Sequence, residues 1–126
     1  MIPLPTPAEV LALHQALETQ LDVRPQPVRD SLLLELACAR PHLANPNDPF
    51  TATALLAEGL LNNRPFNHLN EATILASISA ALALNGLQLA CSPTLITRAL
   101  AEWRTTRATA PTIAKWLQLA SEPIPA

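Results

Sequence analysis

The residues with the most chemical potential stand together in one short stretch, Arg64-Pro65-Phe66-Asn67-His68-Leu69-Asn70-Glu71, just ahead of a long run without charge. A loop histidine can serve as a general base near neutral pH, and an arginine beside it can hold an anion, although arginine itself stays protonated and cannot accept a proton. Asn70 is well placed to cap the helix that follows, and Glu71 puts negative charge where the helix dipole favours it. The candidate binding groove is therefore Arg64, Phe66, Asn67, His68, Asn70 and Glu71. No Ser/His/Asp or Cys/His set stands out, so no catalytic residue is assigned. No metal ligand is assigned either, because histidine is a poor ligand for a hard cation such as magnesium. The competing reading of the loop is that Asn63 and Arg64 merely end the preceding helix, with Arg64 meeting its last carbonyls.

Three further residues carry chemistry. His14 lies among Val10, Leu13, Leu17 and Leu21 on an apolar helix face, where a histidine hydrogen-bonded in the core is the plain alternative to a ligand. Arg29 and Arg40 are either ligand contacts or partners of Asp30 and Glu35.

The elements that must position these residues can be read from caps and periodicity. Thr6-Pro7-Ala8-Glu9 is a capping box with proline at the first helical position, opening a first amphipathic helix. Asp30 caps a second helix that Pro41 is expected to end. Asp48-Pro49 opens a third, running to about Asn62, in which Gly59 would let another helix approach closely. Glu71 to Leu84 has no charged face, which predicts a central buried helix, and Asn85-Gly86 supplies its left-handed stop. Leu87 to Cys91 reads as a connector, Ser92-Pro93 starts a fifth helix, and Pro111 opens a sixth containing Trp116. Both tryptophans read as core anchors. The expectation is an all-α, sheet-free six-helix domain spanning 1–126, with 1–5 and 122–126 as loose tails.

Two stretches carry a family resemblance. Arg64 to Thr73, followed by an alanine-rich helix closing in Leu82-Ala83-Leu84-Asn85-Gly86, resembles the central motif H-P-F-x-D-G-N-K-R-T and closing L-x-L-N-G of the Doc (death-on-curing) branch of the Fic (Fido) superfamily. Val28-Arg29-Asp30-Ser31-Leu32-Leu33-Leu34-Glu35 to Pro41 is similar to that family's second signature, and Trp116-Leu117 to its closing pair. Pro65, Phe66, Asn70 and Thr73 match the central motif, whereas Arg64 replaces the family's basic histidine, His68 its acid, Leu69 its glycine, and Glu71 and Ala72 its two basic residues. The resemblance thus implies the family scaffold without its phosphoryl or nucleotidyl transfer: a binding or regulatory module related to toxin–antitoxin systems, with an antitoxin-like peptide as a possible class of partner. ATP and magnesium would be implied only if the activity survived. The alternatives are a divergent transferase using His68 and Arg64 in the same cleft, and a purely structural helical subunit, whose function would be a homo-oligomer interface.

Composition narrows the remaining classes. At 126 residues, 49% hydrophobic and dominated by Leu and Ala, the chain suits one helical core. A net charge of −2 offers no field for nucleic acid, and Arg98, Arg104, Arg107 and Lys115, spread around Glu102, read as a solvated face. Two glycines exclude a glycine-rich phosphate loop. The uncharged run from Ala72 to Thr97 is broken by Asn85, Gly86, Gln88 and Pro93, so no membrane span is expected. Cys38 and Cys91 have neither zinc nor disulfide spacing, and no secretory segment is seen, so the expected location is cytoplasmic.

Overall fold

The computed structural model describes residues 1–125, which form α1 (Pro7–Gln20), α2 (Ser31–Ala44), α3 (Pro49–Asn63), α4 (Asn70–Leu84), β1 (Leu87–Leu89), α5 (Pro93–Thr106), α6 (Ala110–Ala120) and β2 (Ser121–Pro123). The fold is all-α apart from one two-stranded antiparallel ribbon, in which Leu87 pairs with Pro123, Gln88 with Glu122 and Leu89 with Ser121. The sheet-free expectation is corrected by that ribbon. It forms because Gly86, with φ of 74°, turns the chain out of α4 and lets residues 87–89 run extended beside the end of α6.

Local caps explain the helix starts. Thr6 and Glu9 exchange the two bonds of a capping box. Asp30 accepts from the Leu33 N–H at 3.1 Å, Asp48 from the Thr51 N–H at 2.8 Å, and Ser92 from the Leu95 N–H at 3.3 Å. Pro41 does not end α2, which continues to Ala44. Proline removes only its own N–H from the ladder, and the stop comes instead from Asn45 in the left-handed region, whose N–H returns to the Pro41 carbonyl.

The helix enclosed on most sides is α3, which packs against α2, α4 and α6 and buries Ala52 to Ala54 and Leu56 to Leu61. The expected central helix, α4, buries Thr73, Ile74, Ser77, Ile78, Ala81 and Leu82 on one side and leaves Ser79, Ala83 and Leu84 exposed on the other. Absence of charge does not compel burial when the open face is mostly Ala and Ser, whose small side chains lose little by meeting water, with Leu84 exposed at the helix end.

The chain ends are tied down rather than loose. Leu4 is buried, the Pro3 carbonyl accepts from the Asn85 side chain at 2.9 Å, and the Ile124 N–H donates to the Gly86 carbonyl at 2.9 Å. Ala126 lies outside the described residues. Trp103 is buried and meets half-buried Trp116 edge-on, with ring centroids 5.4 Å apart. No helix among the described residues is long and apolar enough to cross a membrane.

Gly59 allows a close approach of α2 to α3: a β-carbon there would stand 3.0 Å from the Ala37 α-carbon and 3.1 Å from its β-carbon. Gly59→Ala is expected to destabilise the chain by about 1–2 kcal/mol, since wedging α2 from α3 outweighs the helix propensity gained. Ile78→Ala should cost about 2–5 kcal/mol, while Leu84→Ala, at a site 49% exposed, should cost well under about 1 kcal/mol. Urea denaturation of the three variants checks the ordering.

Candidate functional site

Three segments converge at one end of the bundle: α1 through His14 and Glu18, the loop before α2, and the loop between α3 and α4. Phe66 is buried and makes an isolated antiparallel bridge with Val28, beside which the Arg29 and Asp30 N–H groups share the Pro65 carbonyl. The 64–69 loop begins and ends on left-handed residues, Arg64 at φ of 44° and Leu69 at φ of 58°. Such backbone costs a non-glycine residue roughly 1–2 kcal/mol, so surrounding contacts must over-determine it.

Asn70 is one such contact. Its carboxamide accepts from the Phe66 N–H at 3.2 Å and donates to the Phe66 carbonyl at 2.8 Å, closing the loop on itself. The expected role of Asn70 as N-cap is therefore corrected: Leu69 occupies the cap position without a side-chain bond, and Asn70 is the first residue of α4. Arg64 is the left-handed C-cap of α3, not a free groove residue; its side chain donates to Glu71 at 2.8 Å. Glu71 also takes Arg104 of α5 at 3.1 Å. Burial pushes the Glu71 carboxyl up, but Arg64 and Arg104 prevail and hold it below its ordinary value. Exposed Asn67 donates to the Pro27 carbonyl at 3.0 Å. Arg29 pairs with neither Asp30 nor Glu35; it donates to the Arg64 and Asn63 carbonyls at 2.8 and 2.7 Å, while Arg40 pairs with buried Glu58.

His68 reaches across to α1, its Nε2 lying 2.8 Å from Glu18 Oε2, an oxygen that also accepts from the Gln26 N–H at 2.7 Å. His14 is buried and stacks on Phe66, centroids 4.1 Å apart and planes 7° from parallel. Its Nε2 faces the His68 carbonyl at 3.3 Å; a carbonyl can only accept, so Nε2 carries the proton. That leaves Nδ1 as a buried lone pair without a hydrogen-bond partner, 3.7 Å from Glu18 Oε1. Burial lowers the His14 pKa despite the nearby Glu18 charge. The Glu18 carboxyl is held below its ordinary value by the Gln26 N–H first and His68 second.

Of the six residues expected to form a groove, Arg64, Asn67, His68 and Glu71 reach the surface, and Phe66 and Asn70 are buried beneath them. All five polar ones have partners within the chain. The structure adds Glu18, absent from the sequence reading. Its signal was the spacing: His14 and Glu18 stand four apart on one helix face. Beside Glu71, a cleft of about 590 Å³ opens between α4 and α5, floored by Ala72, Leu75, Leu100 and Ala101 and edged by Arg104. No family model matches this chain, and no curated protein matches it in sequence.

Asn70→Ala would strand the buried Phe66 N–H and carbonyl and should cost about 2–4 kcal/mol, against less than about 1 kcal/mol for Asn67→Ala at the surface. Acid should destabilise the fold in two stages. Below the ordinary histidine value of 6.5, the unfolded chain binds a proton that folded His14 resists; below the ordinary glutamate value of 4.5, the same holds for Glu18, whose contribution is lost as pH falls through its depressed folded value. Urea midpoints measured from neutral to acidic pH should fall in both windows, and Glu18→Gln should weaken the second.

Proposed function

We propose that the chain is a catalytically degenerate Doc-like scaffold that acts as a binding or regulatory module for a helical peptide segment of a partner protein, in the cytoplasm. One observation carries this reading: the polar side chains at the family-motif positions are engaged by partners within the chain, while the apolar cleft between α4 and α5 stays open beside them. At the position of the family's base stands Arg64, which cannot take a proton and is tied to Glu71. At the position of the family's phosphate-binding glycine stands Leu69, which adds a β-carbon where the family has none, and Glu71 places a negative charge where the family has a positive one. Phosphoryl transfer relies mainly on positioning and charge stabilisation, and these substitutions remove both.

The cleft favours an amphipathic helix laid apolar side down, the mode in which residues at helical spacing fill a groove. Exposed Arg98 and Arg104 on α5 favour a peptide with an acidic flank. A second reading, a divergent protein-modifying transferase, is favoured by one feature: the His68–Glu18 pair is the kind of arrangement in which a carboxylate orients a basic histidine.

The two readings separate experimentally. Amphipathic peptides selected on the purified chain should bear a carboxylate beside a Leu or Ile repeat. Their affinity should fall more than about tenfold with Leu75→Glu, a loss of more than about 1.4 kcal/mol, and stay unchanged with Leu119→Glu. Equal affinity in both variants would dismiss the cleft. With magnesium and a labelled nucleoside triphosphate, no label should pass to protein; label transfer lost in His68→Ala but kept in Lys115→Ala would establish the transferase instead.

A further inference from the structure

We infer that His14, Glu18 and His68 form a binding site for a divalent transition-metal ion of the zinc class, ligated by His14 Nδ1, the Glu18 carboxylate and His68 Nε2. This inference is independent of the peptide reading, since it uses none of the cleft's lining residues.

The donor set is the first argument. Two imidazoles and a carboxylate suit zinc and its neighbours rather than magnesium or calcium, and three protein ligands leave one position for water or a ligand atom. One donor atom from each of the three residues lies within 4.8 Å of the other two, and His14 Nδ1 is 3.7 Å from Glu18 Oε1. Bonds of about 2.0–2.1 Å in a tetrahedron place neighbouring ligands roughly 3.4 Å apart. The α1 pair therefore needs almost no adjustment, and His68, the one partly exposed member at 25%, closes the set by a shift of up to about 1.4 Å, the difference between 4.8 Å and the tetrahedral spacing.

The second argument is the buried lone pair. His14 is 1% exposed and its Nδ1 has no hydrogen-bond partner, a costly arrangement in a core unless something else accepts that electron pair. At 3.7 Å and without a proton between them, Nδ1 and Glu18 Oε1 are too far apart for a hydrogen bond, but they are spaced to share an ion.

The third is the shell around the donors. The Nε2–H of His14 points to the His68 carbonyl, fixing the tautomer that exposes Nδ1, and Phe66 stacked at 4.1 Å fixes the ring plane. The Gln26 N–H holds the carboxylate. Metal-bound histidines are characteristically oriented in this way through their second nitrogen. On binding, His68 gives up its hydrogen bond to Glu18 and carries its proton on Nδ1, leaving the Nε2 lone pair for the ion. The ion would then bridge α1 to the strained loop.

The full chain titrated with zinc in competition with a chromogenic chelator should take up one equivalent, with a rise of several degrees in Tm. Cobalt should give the visible absorption of four-coordinate nitrogen and oxygen ligation. His68→Gln and Glu18→Gln should each weaken binding by more than about 100-fold, the upper end of what outer-shell changes alone produce. His42→Gln and Cys91→Ser, which remove exposed or half-buried donors elsewhere, should leave it unchanged. In the unmodified chain, imidazole NMR signals of His14 and His68 should shift with zinc while those of His42 stay fixed. Failure to bind one equivalent, a loss that follows His42 or Cys91 instead, or histidine signals that move only at His42 would overturn the inference.

Discussion

The fold depends on α3 being buried on nearly every side even though it carries a glutamate. Glu58 is 6% exposed, and a charge in that position needs both a counter-ion and hydrogen bonds to be tolerated. It has both. Arg40 reaches it from α2, and the Ala110 N–H donates to it at the start of α6, whose own cap residue Thr109 makes no side-chain bond. One carboxylate therefore fastens α2 to α3 and supplies the missing N-terminal cap of α6, where a helix dipole favours negative charge. Next to it, Gly59 brings the α2 backbone against α3. Glu58 thus ties α3 to both α2 and α6, whereas Gly59 sets the approach of α2 alone.

That approach places the end of α3 beside the start of α2, and the loop that follows α3 inherits its shape from there. Arg29 binds the Asn63 and Arg64 carbonyls, Asn63 binds the Leu33 carbonyl, and Pro65 receives two N–H groups from the α2 approach. The left-handed turns at Arg64 and Leu69 are held between these bonds and the Asn70 carboxamide. The loop's shape is thus determined by contacts within the chain. His68 and the Phe66-backed His14 are consequently aimed at Glu18 rather than at solvent.

The opposite character belongs to the outer side of α4. Glu71 and Arg104 join it to α5, and beside that pair apolar Leu75 and Leu100 share a cleft. Cys38 is buried in the core, and burial pushes its thiol up to about 11, so it contributes packing and no nucleophile. The chemistry of the molecule is concentrated at the α1–loop junction and its open apolar surface along α4.

By itself the sequence determined the elements. Thr6 with Glu9, Asp30, Asp48-Pro49, Ser92-Pro93 and Gly86 are local instructions, satisfied by atoms within a few residues, and each acts where its type predicts. Gly59 was likewise legible as a place of close approach, because a missing β-carbon has few other uses inside a helix. Long-range partnerships decided what the sequence could not. Asn70 looks like a cap, but the turn before it leaves its carboxamide facing Phe66; Arg64 looks like an anion ligand, but α4 presents Glu71 to it. An uncharged helix at 71–84 suggested a centre, yet only packing shows that Ala and Ser faces stay outside while α3 goes in. Glu18 and His68 are 50 residues apart and His14 and His68 are 54 apart, so no local pattern could join them. They meet because α1 folds across the loop, and tertiary structure alone joins His14 and His68, each read separately in the sequence, with the unremarked Glu18 into one constellation.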